Sequence, residues 1–251
     1  MDLIEAKPDR NATTGSGITL QGNALRVLRE IGVWGQVAAS GYPFTTVGMT
    51  APDGTVLFVA DDLRSGGDDL PGTVGIRRPR LQEILIDAVR ASGAGVRPGI
   101  TAEALEQDAD GVAVRFSDGT DGRYDLVVAA DGLTSATRAA IGITEKPEPT
   151  GMAIRRAPAP RPESVTRTEL AYGGPALIAG YCPTGEDTIY AYVVERCRAR
   201  ATIPPESYAD AMRRLAEGYG GGPRERREEH TPSGAGPRHR VAPGVCRALS
   251  R

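Results

Sequence analysis

The densest set of residues able to do chemistry is Asp131-Gly132, followed by Ser135 and Arg138. Asp-Gly is a common turn signal, and the chain repeats it at Asp53, Asp110, Asp118 and Asp121. Only Asp131-Gly132 follows an apolar run, Leu126-Val127-Val128-Ala129-Ala130, and precedes Ser-x-x-Arg. A carboxylate there repels phosphate but accepts a hydrogen bond from a hydroxyl or a water, and Ser135 suits the cap of a helix carrying Arg138. Arg78, between Arg77 and Arg80, opens a helical pattern. Its planar, paired donors suit a phosphate, although a cation at a helix start opposes the dipole. Gly15-Ser16-Gly17 allows close approach to the backbone; a flexible loop before a helix is the plainer reading. Glu5 ends a short apolar strand. Such an acid either faces solvent or, at the end of the second strand of a βαβ unit, accepts from sugar hydroxyls.

Elements that must position these residues are legible in the spacing. Asp2 to Ala6 forms a short strand ending in the acid, and Lys7-Pro8-Asp9 turns. Leu25, Leu28 and Ile31 recur at helical spacing between Gly22 and Val37, with Asn23 as the expected N-cap. Gly41 to Leu70 is rich in Gly, Pro and Asp around short β runs such as Val56–Val59. Leu81, Ile84, Leu85, Ala88 and Val89 define an amphipathic helix whose first turn accommodates Pro79. Ala102–Asp108 and Gly111–Phe116 read as a hairpin or meander. Leu126–Ala130 is too apolar for a half-exposed strand and is expected to be buried on both faces. Beyond Thr150, Val165–Ala171, Ala176–Tyr181 and Thr188–Val194 suggest a mostly antiparallel sheet, with a helix over Tyr208–Gly218. Residues 221–251 lack hydrophobic periodicity and are expected to be disordered.

Taken in order, the strand-end acid, the Gly15-Ser16-Gly17-Ile18-Thr19-Leu20…Asn23-Ala24-Leu25 segment, Arg78 three residues before Leu81, and Asp125–Arg138 resemble class A FAD-dependent monooxygenases. That family includes salicylate and 4-hydroxybenzoate hydroxylases. The likeness runs from Asp2 to about Gly222. It implies an α/β, overall α+β, fold: an incomplete Rossmann-like FAD-binding domain over 1–150 with inserted β segments near 41–75, a partial substrate-binding domain over 151–220, and a tail over 221–251. It implies FAD as cofactor, NAD(P)H as co-substrate, and hydroxylation of an aromatic or related small organic substrate with O2. The cofactor-binding residues implied are Glu5, Gly17, Arg78, Asp131 and Gly132.

The family's G-x-G-x-x-G precedes the ribose acid by roughly 20 residues, whereas Glu5 is the fifth residue, and no Gly-Asp motif follows Gly222. The expectation is truncation at both ends, with a misplaced start and a reading-frame shift near Gly220–Gly222. Poor solubility and weak FAD binding follow from a lost strand neighbour and lost phosphate donors. A non-catalytic fragment and another FAD-dependent reaction, such as halogenation or ring reduction, are the competing readings.

Composition narrows the classes. Net charge is −2, with 40% hydrophobic and 25% charged residues. That gives no reason to expect nucleic-acid binding. Cys182, Cys197 and Cys246 form neither a C-x-x-C nor an even set, which favours a reduced setting; no metal site is expected. No run approaches the roughly 20 apolar residues of a membrane helix, and the start has no signal-peptide pattern. A cytoplasmic enzyme acting on a small molecule is the default, with no membrane partner. His230 and His239 lie in the tail, so neither is assigned catalysis. Cys182 and Cys197 read as buried structural residues. Tyr172, Tyr181, Tyr190 and Tyr192 either line a pocket or pack within the sheet.

Overall fold

A computed structural model describes residues 1–8, 15–196 and 207–220. The chain divides into two compact units. The first comprises residues 1–13 and 86–150, and the second residues 14–85 and 151–251.

In the first unit, β1 (Asp2–Glu5) pairs in parallel with β7 (Gly95–Pro98), the strand following α3 (Arg78–Ala91). Parallel pairing requires a crossover. Beside it stands a three-stranded meander of β8 (Ala102–Asp108), β9 (Gly111–Phe116) and β10 (Asp121–Tyr124). Gly111 and Gly119, both at positive φ, make its turns. The Tyr124 hydroxyl donates to Asp2 at 2.7 Å, and Arg97 lies 4.5 Å over the Phe116 ring, fastening the pair of strands to the meander.

Within the second unit, β2 (Ile18–Gln21), β6 (Thr73–Ile76) and β3 (Tyr42–Phe44) form a small antiparallel sheet with β6 central and wholly buried. Helices α1 (Gly22–Glu30) and α2 (Trp34–Ser40) lie beside it. The expected single helix from Gly22 to Val37 is therefore two. Gly32 at φ +80° ends the first: its amide donates to the Arg29 carbonyl and the next amide, of Val33, to that of Leu28, a left-handed stop that only glycine adopts without strain. Asn23 is not the N-cap. That place falls to Gln21, which makes no side-chain cap bond, while the Asn23 amide oxygen accepts from its neighbour Ala24.

The large sheet of this unit has six strands. In spatial order they are β11 (Met152–Pro160), β14 (Thr188–Arg196), β13 (Ile178–Pro183), β12 (Thr168–Tyr172), β4 (Thr46–Thr50) and β5 (Val56–Asp61). All pairs are antiparallel except β12 with β4. That parallel pairing, Thr168↔Val47 to Ala171↔Thr50, is why the chain does not divide once near residue 150. Of the stretch expected to hold inserts near 41–75, β4 and β5 are strands of this large sheet, whereas β3 and β6 belong to the small one.

Alternation along the strands gives this sheet two distinct faces. On one, Ala171, Ala179, Ala191 and Val193 are covered by Met212, Ala216 and Tyr219, of which the first two belong to α5 (Tyr208–Ala216). The same face carries a buried carboxylate: Glu169 accepts from the Tyr181 hydroxyl and from Arg167, the latter at 2.7 Å. On the opposite face, Cys182 and Tyr190 pack against Phe44, with Tyr42 and Tyr192 at the margin.

The apolar run Leu126–Ala130 overturns its expectation. It is irregular and largely exposed, Leu126 at 75% and Val128 at 79%, because no strand among the described residues lies beside it to share backbone hydrogen bonds. The 221–251 tail, Cys197, Cys246 and both histidines lie outside the described residues.

Candidate functional site

The residues singled out from sequence fall into two groups. Gly17 and Arg78 belong to the second unit; Glu5, Asp131 and Gly132 belong to the first.

In the second unit, β2 is preceded directly by Gly15-Ser16-Gly17. This stretch runs against the Arg78 side chain. A Cβ built on Gly15 would lie 3.2 Å from the Arg78 Cδ and 3.5 Å from its Nε, and Gly15 sits at φ +152°. Gly17 is tighter: its Cβ would fall 2.2 Å from Cδ1 of Tyr190 and 2.8 Å from Cγ2 of Thr184. Real Cβ atoms do not approach so closely, so Gly17 is required by packing of the loop onto the sheet face that carries Tyr190. Two residues on, the Thr19 hydroxyl lies 3.4 Å from the Tyr190 hydroxyl. The Ser16 hydroxyl is buried with no hydrogen-bond partner among the described residues.

Arg78 is the first residue of α3, and its exposed guanidinium has no ion pair or hydrogen bond among the described residues. Its neighbours differ in role. Arg80 is committed locally, donating to Ser40 at 3.1 Å and to Glu83 at 3.1 Å. Arg77 is exposed, its backbone carbonyl accepting from the amide of Leu81. Among the described residues this leaves Arg78 as an uncommitted fork of donors beside a glycine loop, a chemistry that suits paired anionic oxygens.

In the first unit, Glu5 ends β1 as an exposed side chain whose Oε1 accepts from the Lys7 amide at 2.9 Å. Asp131 and Gly132 follow the exposed apolar run, with Gly132 at φ +83°. Ser135 caps the short helix α4 (Ala136–Ala140) by accepting from the Arg138 amide at 2.9 Å, as its position predicts. Asp131 Oδ2 accepts from the Thr137 amide at 3.0 Å. The Ser135 hydroxyl first, and then the Thr137 amide, hold the Asp131 carboxyl down at about 2. This carboxylate is therefore ionised at neutral pH and acts as an acceptor, while part of its capacity already serves the turn.

Sequence reasoning passed over the sorting of the tyrosines. Tyr172, Tyr190 and Tyr192 share the face that meets Gly17 and Thr19, whereas Tyr181 lies on the other, bonded to Glu169. Burial raises the phenol of Tyr190, and the neighbouring cysteine adds to the shift. Burial also pushes the Cys182 thiol up to about 12, so the structural role read for it holds.

Among known proteins, the FAD binding domain family matches residues 3–218. The aurachin C monooxygenase/isomerase of Stigmatella aurantiaca is 30% identical over 222 residues, which cover 88% of this chain and 57% of the relative. A putative FAD-dependent monooxygenase of Bacillus subtilis, YetM, is 27% identical over 222 residues, 87% of this chain and 59% of that protein. Of solved structures, Klebsiella pneumoniae HpxO complexed with FAD and uric acid superposes with a TM-score of 0.73 at 21% identity, covering 87% of this chain and 56% of that one. The chain thus spans under two thirds of the length of the relatives it matches. Its mixed α/β architecture is theirs.

Proposed function

The chain belongs to the FAD binding domain family, and on that premise we propose that it is the cofactor- and substrate-binding part of a FAD-dependent monooxygenase hydroxylating an aromatic or related small organic substrate with NAD(P)H and O2. The observation that carries the reading is the Arg78 guanidinium, without an ion pair or hydrogen bond among the described residues, lying against the bare backbone of Gly15. That pairing fits an extended phosphate-bearing cofactor. A Cβ at Gly17 has no room, so the glycine holds the loop down on the Tyr190 face.

When bound, FAD supplies the redox chemistry, passing reducing equivalents from NAD(P)H to O2. The chain's own groups bind and orient. Arg78 pairs with the diphosphate, and Gly17 lets the loop beside it close onto Tyr190. In the other unit, Glu5 and Asp131, with Gly132 setting the turn at Asp131, are acceptors of the kind that cofactor hydroxyls would need. The tyrosine-bearing face of the large sheet presents an apolar wall from which water is excluded once a substrate lies on it. Such chemistry needs no acid–base pair from the protein. Among the described residues no cluster of metal-ligating side chains occurs, and no helix is long and apolar enough to cross a membrane. A small-molecule substrate and a cytoplasmic setting complete the proposal.

The test is flavin titration of the purified chain, followed by NAD(P)H oxidation with and without aromatic acids and identification of a hydroxylated product. Arg78→Ala should weaken FAD binding about tenfold or more, the loss expected for a charge-assisted phosphate contact. Unchanged affinity in that variant, or no FAD uptake by the parent chain, would sink the reading. A second reading, a chain that binds without turning over, is favoured by the open state of Leu126–Ala130 immediately before Asp131. Tight FAD retention without substrate-dependent oxidation would select it.

A further inference from the structure

The two strands that end the large sheet are built differently. β11 carries Arg155, Arg156, Pro158 and Pro160, residues that keep a foreign strand from adding to an edge. β5, at the other end, has no proline, lysine or arginine anywhere in 54–63. Its apolar side chains are open as well: Leu57 is 59% exposed, Phe58 49% and Val59 44%.

The ladder between β4 and β5 fixes which backbone groups of the edge are free. The Asp62 amide donates to the Thr45 carbonyl at 2.7 Å. Bonded and non-bonded pairs alternate along an antiparallel ladder, so Thr46↔Asp61 and Gly48↔Val59 are non-bonded pairs. The amides and carbonyls of Val59 and Asp61 therefore point away from β4, whereas those of Phe58 and Ala60 point toward it. A register shift between Met49 and Thr50 ends the regular edge at Leu57. Among the described residues no strand lies on the outer side, and the Asp61 carboxylate has no ion pair or hydrogen bond.

A second copy of the chain fits this edge poorly. Pairing Val59 with Asp61 across a two-fold axis sets the two Asp61 carboxylates diagonally on one face, about 7 Å apart, where like charges repel. The chain's own C-terminal residues, which lie outside the described ones, fit better. The described part ends beside this strand: the Gly220 amide donates to the Pro52 carbonyl at 2.7 Å, in the turn between β4 and β5. Val59 follows Pro52 by seven residues, at most about 25 Å of extended chain. The 25 residues from 220 to 245 reach that far with ease. Residues 230–251 contain Arg238, Arg240, Arg247 and Arg251 and no Asp or Glu. Within them 245–251, Val-Cys-Arg-Ala-Leu-Ser-Arg, is the longest run free of proline and glycine.

We propose that residues 245–251 add to the open edge of β5 as a seventh strand of the large sheet, bonding the backbone of Val59 and Asp61 and setting Arg247 against the Asp61 carboxylate. Docked there, the segment closes the edge to pairing with other chains. The inference goes beyond the flavin reading and does not depend on it.

Amide hydrogen exchange of the full chain, followed by NMR, tests it. In the wild type the Val59 and Asp61 amides should exchange about tenfold or more slowly than in Ala248→Pro, which removes a donor from the middle of the added strand. Phe58 and Ala60, bonded to β4, should exchange alike in both. Arg247→Glu should speed exchange at Val59 about twofold to fivefold, the worth of an exposed ion pair, and adding Asp61→Arg should bring the slow rate back. Equal exchange at Val59 and Asp61 in the wild type and in Ala248→Pro overturns the proposal. So does protection that rises with protein concentration, which assigns the edge to a second copy. A loss in Ala248→Pro that extends to Phe58 and Ala60 also overturns it, since that marks a loosening of β5 itself.

Discussion

Glu169 shows what a carboxylate buried in a sheet demands of its neighbours. It is 7% exposed, and Tyr181 and Arg167 supply its donors from the same face. Tyr181→Phe removes one donor and leaves the oxygen without a replacement, so urea denaturation should report a loss of about 1–3 kcal/mol, the penalty for an unsatisfied buried polar atom. Gly17→Ala places a methyl 2.2 Å from the Tyr190 ring. It should displace the loop, lower the melting temperature and weaken FAD binding together, whereas Arg78→Ala should affect FAD alone. The Cys182 thiol, pushed up to about 12 by burial, should resist iodoacetamide at pH 8 in the native chain and react once it is unfolded, as read by peptide mass mapping. Asp131 was legible as an acceptor from its place between an apolar run and Ser-x-x-Arg. Its bonds to Thr137 and Ser135 were not, because they depend on the turn angle at Gly132. Asp131 is a depressed carboxyl, so the turn it supports is fully formed above the ordinary carboxylate range near 3.8 and is lost as pH falls through about 2. The Thr137 amide resonance should titrate with that midpoint, and Asp131→Asn should abolish the transition.

Individual elements were readable wherever local spacing decides them. The amphipathic run from Leu81 to Val89 became α3, and the turns at Asp110 and Asp118 became a meander. Two elements misled for physical reasons. Gly32 interrupts an otherwise continuous helical period because its positive φ lets the chain reverse onto Leu28 and Arg29. Gly32→Ala should cost about 1 kcal/mol, the strain of a left-handed alanine. Leu126–Ala130 has the composition of a buried strand, but composition cannot say whether a neighbour is present to share its hydrogen bonds. β11 was missed outright: with Arg155, Arg156 and three prolines at 158, 160 and 162 around it, it reads as a loop, yet edge strands tolerate proline.

At the level of the molecule, the pattern of strands suggested a break near residue 150, but the sheet draws β4 and β5 from far upstream. No local signal encodes a pairing between Val47 and Thr168. Exposed Leu126, Val128 and Leu133 make this chain prone to associate, since large apolar side chains cluster there without cover. Leu126→Lys with Val128→Lys should reduce light scattering on concentration and leave the melting temperature unchanged, because neither side chain contributes burial.

The parallel contact between β4 and β12 also means that the second unit is stitched from two stretches of chain, with residues 86–150 looping out between them. A protease that cuts after Glu145, in an exposed segment without regular structure, would sever the backbone and not the sheet. Its two products should travel as one particle through a sizing column and part only in denaturant, since the seam joining them is a ladder of backbone hydrogen bonds that no peptide bond has to close.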